Sequence, residues 1–229
     1  DPLSSHEVNS TGTLNVLIAA QKAGVKRVVY AASSSAYGEA IENIKHEEII
    51  PKPLSPYAVA KLTGEHYCYA FYECYGLETV SLRYFNVFGP RQNPDSPYTG
   101  VMAIFIPLML QGKRPTIFGD GTATRDFTFI RNNVQANMLA LTAEKAPGHI
   151  MNIACGESFS ILHIVESINR ILGTQIEPIF APPRPGDIKH SLAGVQKARE
   201  LIDYKPLIRF EDGLRETIEW YRSRMHSQL

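Results

Sequence analysis

A strand–helix–strand pattern over residues 28–84 constrains the fold of this chain more than any other feature. Val28 to Ala32 is a short apolar run typical of a buried strand, and Leu77 to Tyr84 is a second strand pattern. Between them, Ser55 to Tyr75 predicts a long helix that Gly76 closes as a left-handed cap. Strands joined by a crossover helix run parallel. The sequence therefore predicts an α/β fold built on a parallel sheet.

Two side chains near the start of this helix form a candidate proton-transfer pair. Tyr57 and Lys61 are one helical turn apart, so both leave the same face. A phenol has an unperturbed pKa of about 10, and a neighbouring ammonium lowers that pKa by favouring the phenolate. Together, Tyr57 and Lys61 are suited to move a proton near neutral pH.

Polar residues follow both predicted strands. Ser33 and Ser34 come directly after the first strand, and Asn86 follows the second. Taken singly, a serine cluster is typical of a turn and an asparagine of a loop cap. Open parallel sheets bind ligands just outside the carboxyl ends of their strands. We therefore expect Ser33, Tyr57 and Asn86 to gather at one edge of the sheet as an active site.

Composition limits the classes of partner. The chain has 229 residues, of which 44% are apolar, enough for a sizeable core. Its 23 basic and 23 acidic residues balance, which favours neither nucleic acid nor an anionic membrane. Three cysteines without metal-ligand spacing predict a reducing, cytoplasmic setting, and the scattered histidines predict no metal site. No run approaches the roughly 20 apolar residues of a membrane span.

The pattern of elements divides the chain near residue 90. Residues 1–90 are predicted to form part of a doubly wound sheet, preceded by a helix over about 10–23. Residues 91–229 are predicted to form a smaller α+β lobe, with about 131–155 returning to the first domain. Its predicted helices cover 101–111, 131–144, 161–172, 194–202 and 211–225, and its predicted strands cover 116–118, 126–130, 150–154 and 176–180.

Three longer runs carry a resemblance to a known family: Ala31 to Gly38, Pro53 to Lys61 and Leu82 to Arg91. Shorter matches follow at Gly119–Gly121, Thr124–Phe127, Asn152–Ala154 and Arg184–Asp187. Over essentially its whole length the chain resembles the extended short-chain dehydrogenase/reductases, the NAD-dependent sugar epimerase/dehydratase family. Within that family it is most similar to UDP-sugar 4-epimerases, including those that act on N-acetylated hexosamines and their uronic acids.

One departure from the family concerns its glycine-rich motif. These enzymes begin with a G-x-x-G-x-x-G turn whose helix N-terminus holds the NAD pyrophosphate. The chain contains no such motif, and Asn9 to Leu17 resembles a helix that comes three crossover units later in the family, about 90 residues on. We therefore expect the C-terminal part of a Rossmann-like doubly wound sheet, and we expect this chain alone to be inactive.

The resemblance implies a role for each residue of the chemical site. Tyr57 would take the proton of the sugar 4-hydroxyl while hydride passes to NAD, giving a 4-keto intermediate. Lys61 would lower the pKa of Tyr57 and bind the nicotinamide ribose, and Ser33, with Ser34 beside it, would bond the same sugar oxygen. The implied cofactor-binding residues are Ala31, Ala32, Ser33, Tyr57, Lys61, Tyr84, Phe85 and Val87.

The resemblance also implies a UDP-sugar site in the second lobe. On residue type alone, a lone arginine is typical of a solvated surface, and Ile117 and Phe118 are typical of packed strand residues. By resemblance, arginines hold the nucleotide phosphates, a short strand lines the uracil slot, and a small residue at Ser191 admits an N-acetyl group. The implied substrate-binding residues are Ser34, Tyr57, Asn86, Phe105, Thr116, Ile117, Phe118, Arg125, Arg184, Asp187 and Ser191.

Alternatives to a 4-epimerase stay open. Dehydratases of the family carry an acid and a base just after the loop serine or threonine, and decarboxylases carry a glutamate there, whereas this chain has Ser35 and Ala36. A non-catalytic module that binds only nucleotide-sugar is a third reading, and NAD titration would separate it from an enzyme. The resemblance further implies a homodimer through a four-helix interface, in which Tyr67, Phe71 and Tyr72 are candidate contacts.

Overall fold

The computed structural model describes residues 1–38, 40–93, 100–183 and 189–226. The helices are α1 (Pro2–His6), α2 (Gly12–Lys22), α3 (Pro56–Tyr75), α4 (Val101–Leu110), α5 (Ile130–Thr142), α6 (Ile161–Leu172), α7 (Gln196–Ile202) and α8 (Phe210–His226). The strands are β1 (Arg27–Ser33), β2 (Ile44–Lys45), β3 (Glu78–Tyr84), β4 (Val87–Phe88), β5 (Thr116–Phe118), β6 (Thr124–Arg125), β7 (Thr128–Phe129), β8 (Ile150–Ile153), β9 (Phe159–Ser160), β10 (Ile179–Ala181) and β11 (His190–Ala193). A π-helical stretch, Glu7–Thr11, joins α1 to α2, and a 3-10 helix, Ser34–Tyr37, follows β1.

The chain divides into two compact units. Unit 1 comprises Asp1–Phe85, Asn133–Ala154 and Ala193–Lys205, and unit 2 comprises Asn86–Asn132, Cys155–Leu192 and Pro206–Leu229. The sequence predicted one return to the first domain, over about 131–155. The segment Ala193–Lys205, which contains α7, also belongs to unit 1.

A three-stranded parallel sheet forms the centre of unit 1. β3 lies between β1 and β8 and is parallel to both. β1 and β3 pair in register from Arg27 opposite Glu78 to Ser33 opposite Tyr84, so their carboxyl ends lie side by side. This arrangement confirms the predicted α/β fold with a parallel sheet.

Local signals in the sequence set both ends of α3. The Ser55 side chain accepts a hydrogen bond from the Ala58 amide at 3.1 Å, and Pro56 occupies the first helical position. Gly76 ends the helix in the left-handed conformation, with φ of 67°. These caps place Tyr57 and Lys61 in the first two turns of the helix.

Apolar clusters cover both faces of the sheet in unit 1. On one face, Leu17 of α2 and Phe71 of α3 pack with Tyr30 and Ala32 of β1. On the other face, residues of α5 and α7 pack against β3 and β8. The sheet is therefore covered by helices on both sides, as expected for a doubly wound fold.

An ion pair buried in unit 1 joins α3 to β3. The Arg83 guanidinium donates to both carboxylate oxygens of Glu65, at 2.9 Å and 2.7 Å. Glu65 is 1% exposed and Arg83 is 2% exposed. The Arg83 guanidinium also lies over the ring of Tyr37, 4.7 Å from the ring centre. Arg83 therefore contacts both the helix that carries Lys61 and the 3-10 helix that follows Ser33.

Asn152 of β8 extends this polar network. The Tyr37 hydroxyl donates to Asn152 Oδ1 at 2.7 Å, and Asn152 Nδ2 donates to the carbonyls of Lys45 and Gly194 at 2.9 Å and 3.1 Å. Burial raises the pKa of Tyr37 to about 12, so this phenol stays a neutral donor. The sequence analysis quoted Asn152 only as part of a motif match.

Unit 2 is built from short strands around an aromatic core. β5 pairs with β10, β4 pairs with β7, and β6 pairs with both β11 and β9. Phe88, Phe129 and Phe210 pack together in the core, with ring centres of Phe88 and Phe129 5.6 Å apart. Of the strand predicted over 126–130, only β7 (Thr128–Phe129) forms, and the strand predicted over 176–180 begins only at Ile179.

We predict that breaking the buried ion pair strongly destabilises the protein. Glu65→Gln leaves the Arg83 guanidinium buried without a counter-charge, which typically costs about 3–5 kcal/mol in the free energy of unfolding. Denaturant unfolding of the two proteins measures the difference. Glu216→Gln is the matched control, because Glu216 pairs with Arg131 on the surface and such pairs contribute about 0–1 kcal/mol. Equal losses in the two variants would contradict the prediction.

Candidate active site

Tyr57 and Lys61 occupy the first turns of α3, and both are half-buried. The Lys61 ammonium lies over the face of the Tyr30 ring, 4.6 Å from the ring centre. Burial lowers the pKa of Lys61, and the nearby Glu65 carboxylate opposes that shift. Tyr57 and Lys61 are one turn apart on α3, so they share one face of the helix.

The serine turn lies at the carboxyl end of β1. Ser33 caps the 3-10 helix, because its Oγ accepts from the Ser35 amide at 3.2 Å. The hydroxyl groups of Ser33 and Ser35 are also hydrogen-bonded to each other at 2.8 Å. Ser34 is half-buried in the same turn. The Ser35 hydroxyl was not among the predicted site residues, although it stood next to them in the sequence.

Gly38 closes this turn at a position that admits no side chain. Its φ is 54°, and a Cβ there would lie 1.7 Å from the Lys52 carbonyl oxygen. Only glycine accepts both this backbone conformation and this close approach. The segment just before α3 therefore packs directly on the end of the serine turn.

The cofactor-binding residues predicted around β1 and β3 differ in accessibility. Ala31 is exposed, whereas Ala32 is buried. The Phe85 side chain is fully buried and packs 6.1 Å from the ring of Tyr37, so only its main chain is available to a ligand. The Tyr84 hydroxyl is hydrogen-bonded to the Asn137 side chain at 2.9 Å, and burial raises the pKa of Tyr84.

A cavity of about 960 Å³ lies within unit 2. Of the predicted substrate-binding residues, the cavity is lined by Asn86, Phe105, Thr116, Ile117, Phe118 and Arg125. Val87, predicted to bind the cofactor, also lines it. The lining also includes Phe180 and Lys189, which were not predicted from the sequence. An aromatic residue on a strand, such as Phe180, is typical of ordinary packing.

Hydrogen bonds within unit 2 fix two of these lining residues. Asn86 has a left-handed φ of 32°, and its Nδ2 donates to the Asp126 carbonyl at 2.9 Å. The fully buried Asp126 carboxylate accepts from the amides of Cys155 and Gly156, each at 3.0 Å. Arg125 Nη1 donates to the Thr124 carbonyl at 2.9 Å. Hydrogen bonds to main-chain carbonyls therefore hold the side chains of Asn86 and Arg125 in the cavity wall.

Of the described residues that were predicted to bind substrate, Ser34, Tyr57 and Ser191 are absent from the cavity lining. Ser191 lies in β11 opposite Arg125 in the strand register and is absent from the lining. Arg184 and Asp187 fall outside the described residues. Ser191 is thus one strand away from a lining residue.

Neither a metal centre nor a membrane helix occurs in the described part of the chain. Across residues 1–38, 40–93, 100–183 and 189–226, no three His, Cys, Asp or Glu side chains cluster in a way that could hold a metal ion. None of the helices in these ranges has both the length and the apolar character that a membrane crossing requires.

The residues of unit 1 fit one end of a nicotinamide dinucleotide. Lys61 offers an ammonium and Tyr57 a phenol, which are suitable donors for ribose hydroxyl groups. The small side chain of Ala31 is exposed on β1, near the carboxyl end of the parallel sheet where such ligands bind.

Comparisons with known proteins agree on one family. A UDP-glucose 4-epimerase of Mycolicibacterium smegmatis is 35% identical, over 98% of this chain and 71% of the relative. The solved UDP-N-acetylglucosamine 4-epimerase from Methanobrevibacter ruminantium M1, in complex with UDP-N-acetylmuramic acid, has a TM-score of 0.94 and 39% identity, covering 98% of this chain and 72% of that one. A UDP-glucuronic acid 4-epimerase from Bacillus cereus, solved with UDP-glucuronic acid and NAD, has a TM-score of 0.87 and 36% identity, covering 94% and 68%.

The family profile described as "NAD dependent epimerase/dehydratase family" matches residues 1–154. The parallel sheet, the Tyr57 and Lys61 pair and the serine turn all lie within this span or begin in it. The chain therefore belongs to the NAD dependent epimerase/dehydratase family.

Proposed function

We propose that this chain provides the catalytic residues and the nucleotide-binding lobe of an NAD-dependent UDP-sugar 4-epimerase. The observation that carries the proposal is the half-buried Tyr57 and Lys61 pair on α3, next to the Tyr30 ring and downstream of the serine turn. Relatives that carry the name 4-epimerase cover most of the chain, which supports the same reaction class.

Three residues of unit 1 would move the proton. Tyr57, as phenolate, takes the proton of the sugar 4-hydroxyl, and Lys61 stabilises the phenolate and binds the nicotinamide ribose. Ser33 donates a hydrogen bond from its hydroxyl to the same sugar oxygen. The Ser35 amide, which donates to Ser33 Oγ, orients this hydroxyl group. When bound, NAD would accept the C4 hydride and, after the keto sugar has rotated, return it to the opposite face of C4, so that the cofactor ends unchanged. Tyr57 then returns its proton to the product with the opposite configuration at C4.

The cavity of unit 2 supports a nucleoside diphosphate as the bound part of the substrate. Arg125 and Lys189 bring positive charge to the lining, which suits phosphate oxygens. Phe118 and Phe180 present exposed rings at the same cavity, against which a flat base can stack. We propose that the uridine diphosphate lies there, with Asn86 near the sugar end.

The serine turn favours epimerisation over the related eliminations. A dehydratase or decarboxylase needs a carboxyl group next to the sugar, whereas Ser35 offers a hydroxyl and Ala36 a fully buried methyl group. Neither group can act as a carboxylate acid or base. A 4-epimerase needs no such group, because Tyr57, assisted by Lys61 and Ser33, takes up and returns the proton. A module that only binds nucleotide-sugar would have no use for the Tyr57 and Lys61 pair.

We predict that Tyr57→Phe in the full-length enzyme abolishes epimerisation. Loss of an essential acid–base group typically lowers turnover by about 100-fold or more, while UDP-sugar affinity stays nearly unchanged. Steady-state rates are compared with affinities from titration calorimetry. Tyr69→Phe is the matched control, since Tyr69 is an exposed tyrosine on the same helix. Turnover of Tyr57→Phe within a few-fold of wild type would refute the assignment.

We also predict a preference that depends on Ser191. Because serine is small, we expect UDP-N-acetylglucosamine or the matching uronic acids to be accepted at least as well as UDP-glucose. Ser191→Tyr should selectively lower kcat/KM for the N-acetylated substrate, since an overfilled pocket penalises the larger ligand. Ser191→Ala serves as the control and should leave the ratio unchanged. Equal losses on both substrates would remove Ser191 from the specificity site and favour plain UDP-glucose epimerisation.

We further propose that the protein forms a homodimer through α2 and α3. Phe71, a candidate contact from the sequence, is buried within unit 1, and Tyr67 packs partly against the same cluster. The exposed large hydrophobic residues on these helices are instead Val16, Ile18, Val59, Tyr69 and Tyr75. Two such helices from each copy would bury these faces in a four-helix interface.

We predict that Val59→Glu converts this dimer to a monomer in analytical ultracentrifugation, because it places a charge in an apolar interface. Ile41→Glu is the control, since Ile41 is even more exposed but lies outside both helices. A wild-type monomer, or a Val59→Glu dimer of unchanged affinity, would exclude this interface.

A further inference from the structure

Tyr30 is a buried residue of β1 that contacts two helices of unit 1. Its hydroxyl donates to the Lys61 carbonyl of α3 at 3.2 Å. Its ring packs with Leu17 of α2 in the same apolar cluster. The face of its ring lies 4.6 Å from the Lys61 ammonium, measured to the ring centre. One phenol therefore contacts both the main chain and the side chain of Lys61.

Gly64 shows that α3 is shaped around this phenol. A Cβ at Gly64 would lie 2.2 Å from the Tyr30 hydroxyl oxygen and 2.4 Å from the ring carbon that carries it. Glycine weakens the interior of a helix, so it is expected there only where a close approach requires it. The hydroxyl group of Tyr30 occupies the space that a side chain at position 64 would take.

Two phenols lie near Lys61, and their environments separate their roles. Burial is the largest cause that raises the pKa of Tyr30, and charge on Tyr57 raises it further. Tyr30 therefore keeps its proton when Tyr57 ionises. A neutral aromatic ring still attracts a cation through its negative face. Tyr30 is suited to hold the ammonium and unsuited to replace Tyr57 as the base.

The other charged neighbour of Lys61 is already engaged. Glu65 lies one turn along α3, and both of its carboxylate oxygens accept hydrogen bonds from Arg83. Cys68, the remaining titratable neighbour on α3, is buried, and burial raises its pKa to about 11, so it stays a neutral thiol near pH 7. The Tyr30 ring face is thus the contact that holds the ammonium without competing for its charge.

We propose that Tyr30 is a positioning residue for Lys61: its ring holds the ammonium on the face of α3 from which Tyr57 projects. The proposal rests on the function proposed above for Tyr57 and Lys61. It assigns the orientation of the lysine to a strand residue outside the family motifs that point to the site. If the attraction between the ring and the ammonium is removed while the shape of the ring is kept, Lys61 should become less well ordered and the pKa of Tyr57 should rise.

The test replaces Tyr30 with two aromatic residues whose rings have the same shape but differ in the charge distribution on the ring face. Tyr30→Phe keeps the negative ring face, whereas Tyr30→pentafluorophenylalanine removes it. The ionisation of Tyr57 is followed by phenolate absorbance in the NAD-free full chain and assigned by difference from Tyr57→Phe. We expect Tyr30→Phe to behave like wild type. We expect the fluorinated ring to raise the pKa of Tyr57 by about half a unit, with an equal shift of the acid limb of kcat and about a threefold loss at neutral pH.

Phe71 provides the matched control, because it packs in the same apolar cluster as Tyr30. Phe71→pentafluorophenylalanine should leave the ionisation of Tyr57 unchanged. The proposal would be overturned if the fluorinated ring at position 30 left the pKa of Tyr57 unchanged. It would also be overturned if the fluorinated ring at position 71 shifted that pKa equally. The titration needs no substrate, so a protein that shifts as expected but epimerises no UDP-sugar would support the role of Tyr30 and refute the proposed reaction. An active epimerase without the shift would refute the role of Tyr30 alone.

Discussion

The buried pairing of Arg83 with Glu65 is the interaction on which the rest of unit 1 depends. One guanidinium holds α3 through two hydrogen bonds and lies on the ring of Tyr37, which ends the 3-10 helix after Ser33. A buried ion pair adds little net stability compared with a well-packed apolar pair, because both charges lose their hydration. It does specify geometry, since the planar fork of arginine fits a carboxylate in one orientation. The helix that carries Lys61 and the turn that follows Ser33 are thereby set by the same side chain.

This pairing also shapes the electrostatics around Lys61. Glu65 is one turn from the lysine and would otherwise be its natural ion-pair partner. Because Arg83 binds both carboxylate oxygens, Glu65 acts on the ammonium only at a distance and partly offsets the effect of burial on its pKa. The Lys61 ammonium lies instead over the neutral ring of Tyr30. A lysine held this way keeps its N–H groups for hydrogen bonds to other acceptors.

Local chemistry explains which features the sequence predicted. α3 was predicted closely because a serine cap, a first-turn proline and a terminal glycine are short-range signals, and α6 was predicted with its observed bounds. The short strands β2, β4 and β9 were not predicted. Each has only two residues, so its formation depends on pairing with a distant strand and leaves no periodic pattern in the sequence. Tyr57 and Lys61 were found from their spacing on one helix face. The roles of Arg83 and Tyr30 were missed, because an arginine in a strand run and an aromatic in a buried strand acquire meaning only from the helix packed over them.

Under the proposed function, the chemistry lies in unit 1 and substrate recognition lies in unit 2. Ser33, Tyr57 and Lys61 all belong to unit 1, whereas every residue that lines the described cavity belongs to unit 2. The chain passes between the units directly after β3, so the last residue of unit 1 there, Phe85, is bonded to the cavity residue Asn86. Under the proposed function, a substitution in the cavity would change the nucleotide-sugar site of unit 2 without touching the Arg83–Glu65 pair or the Tyr30 ring over Lys61 in unit 1.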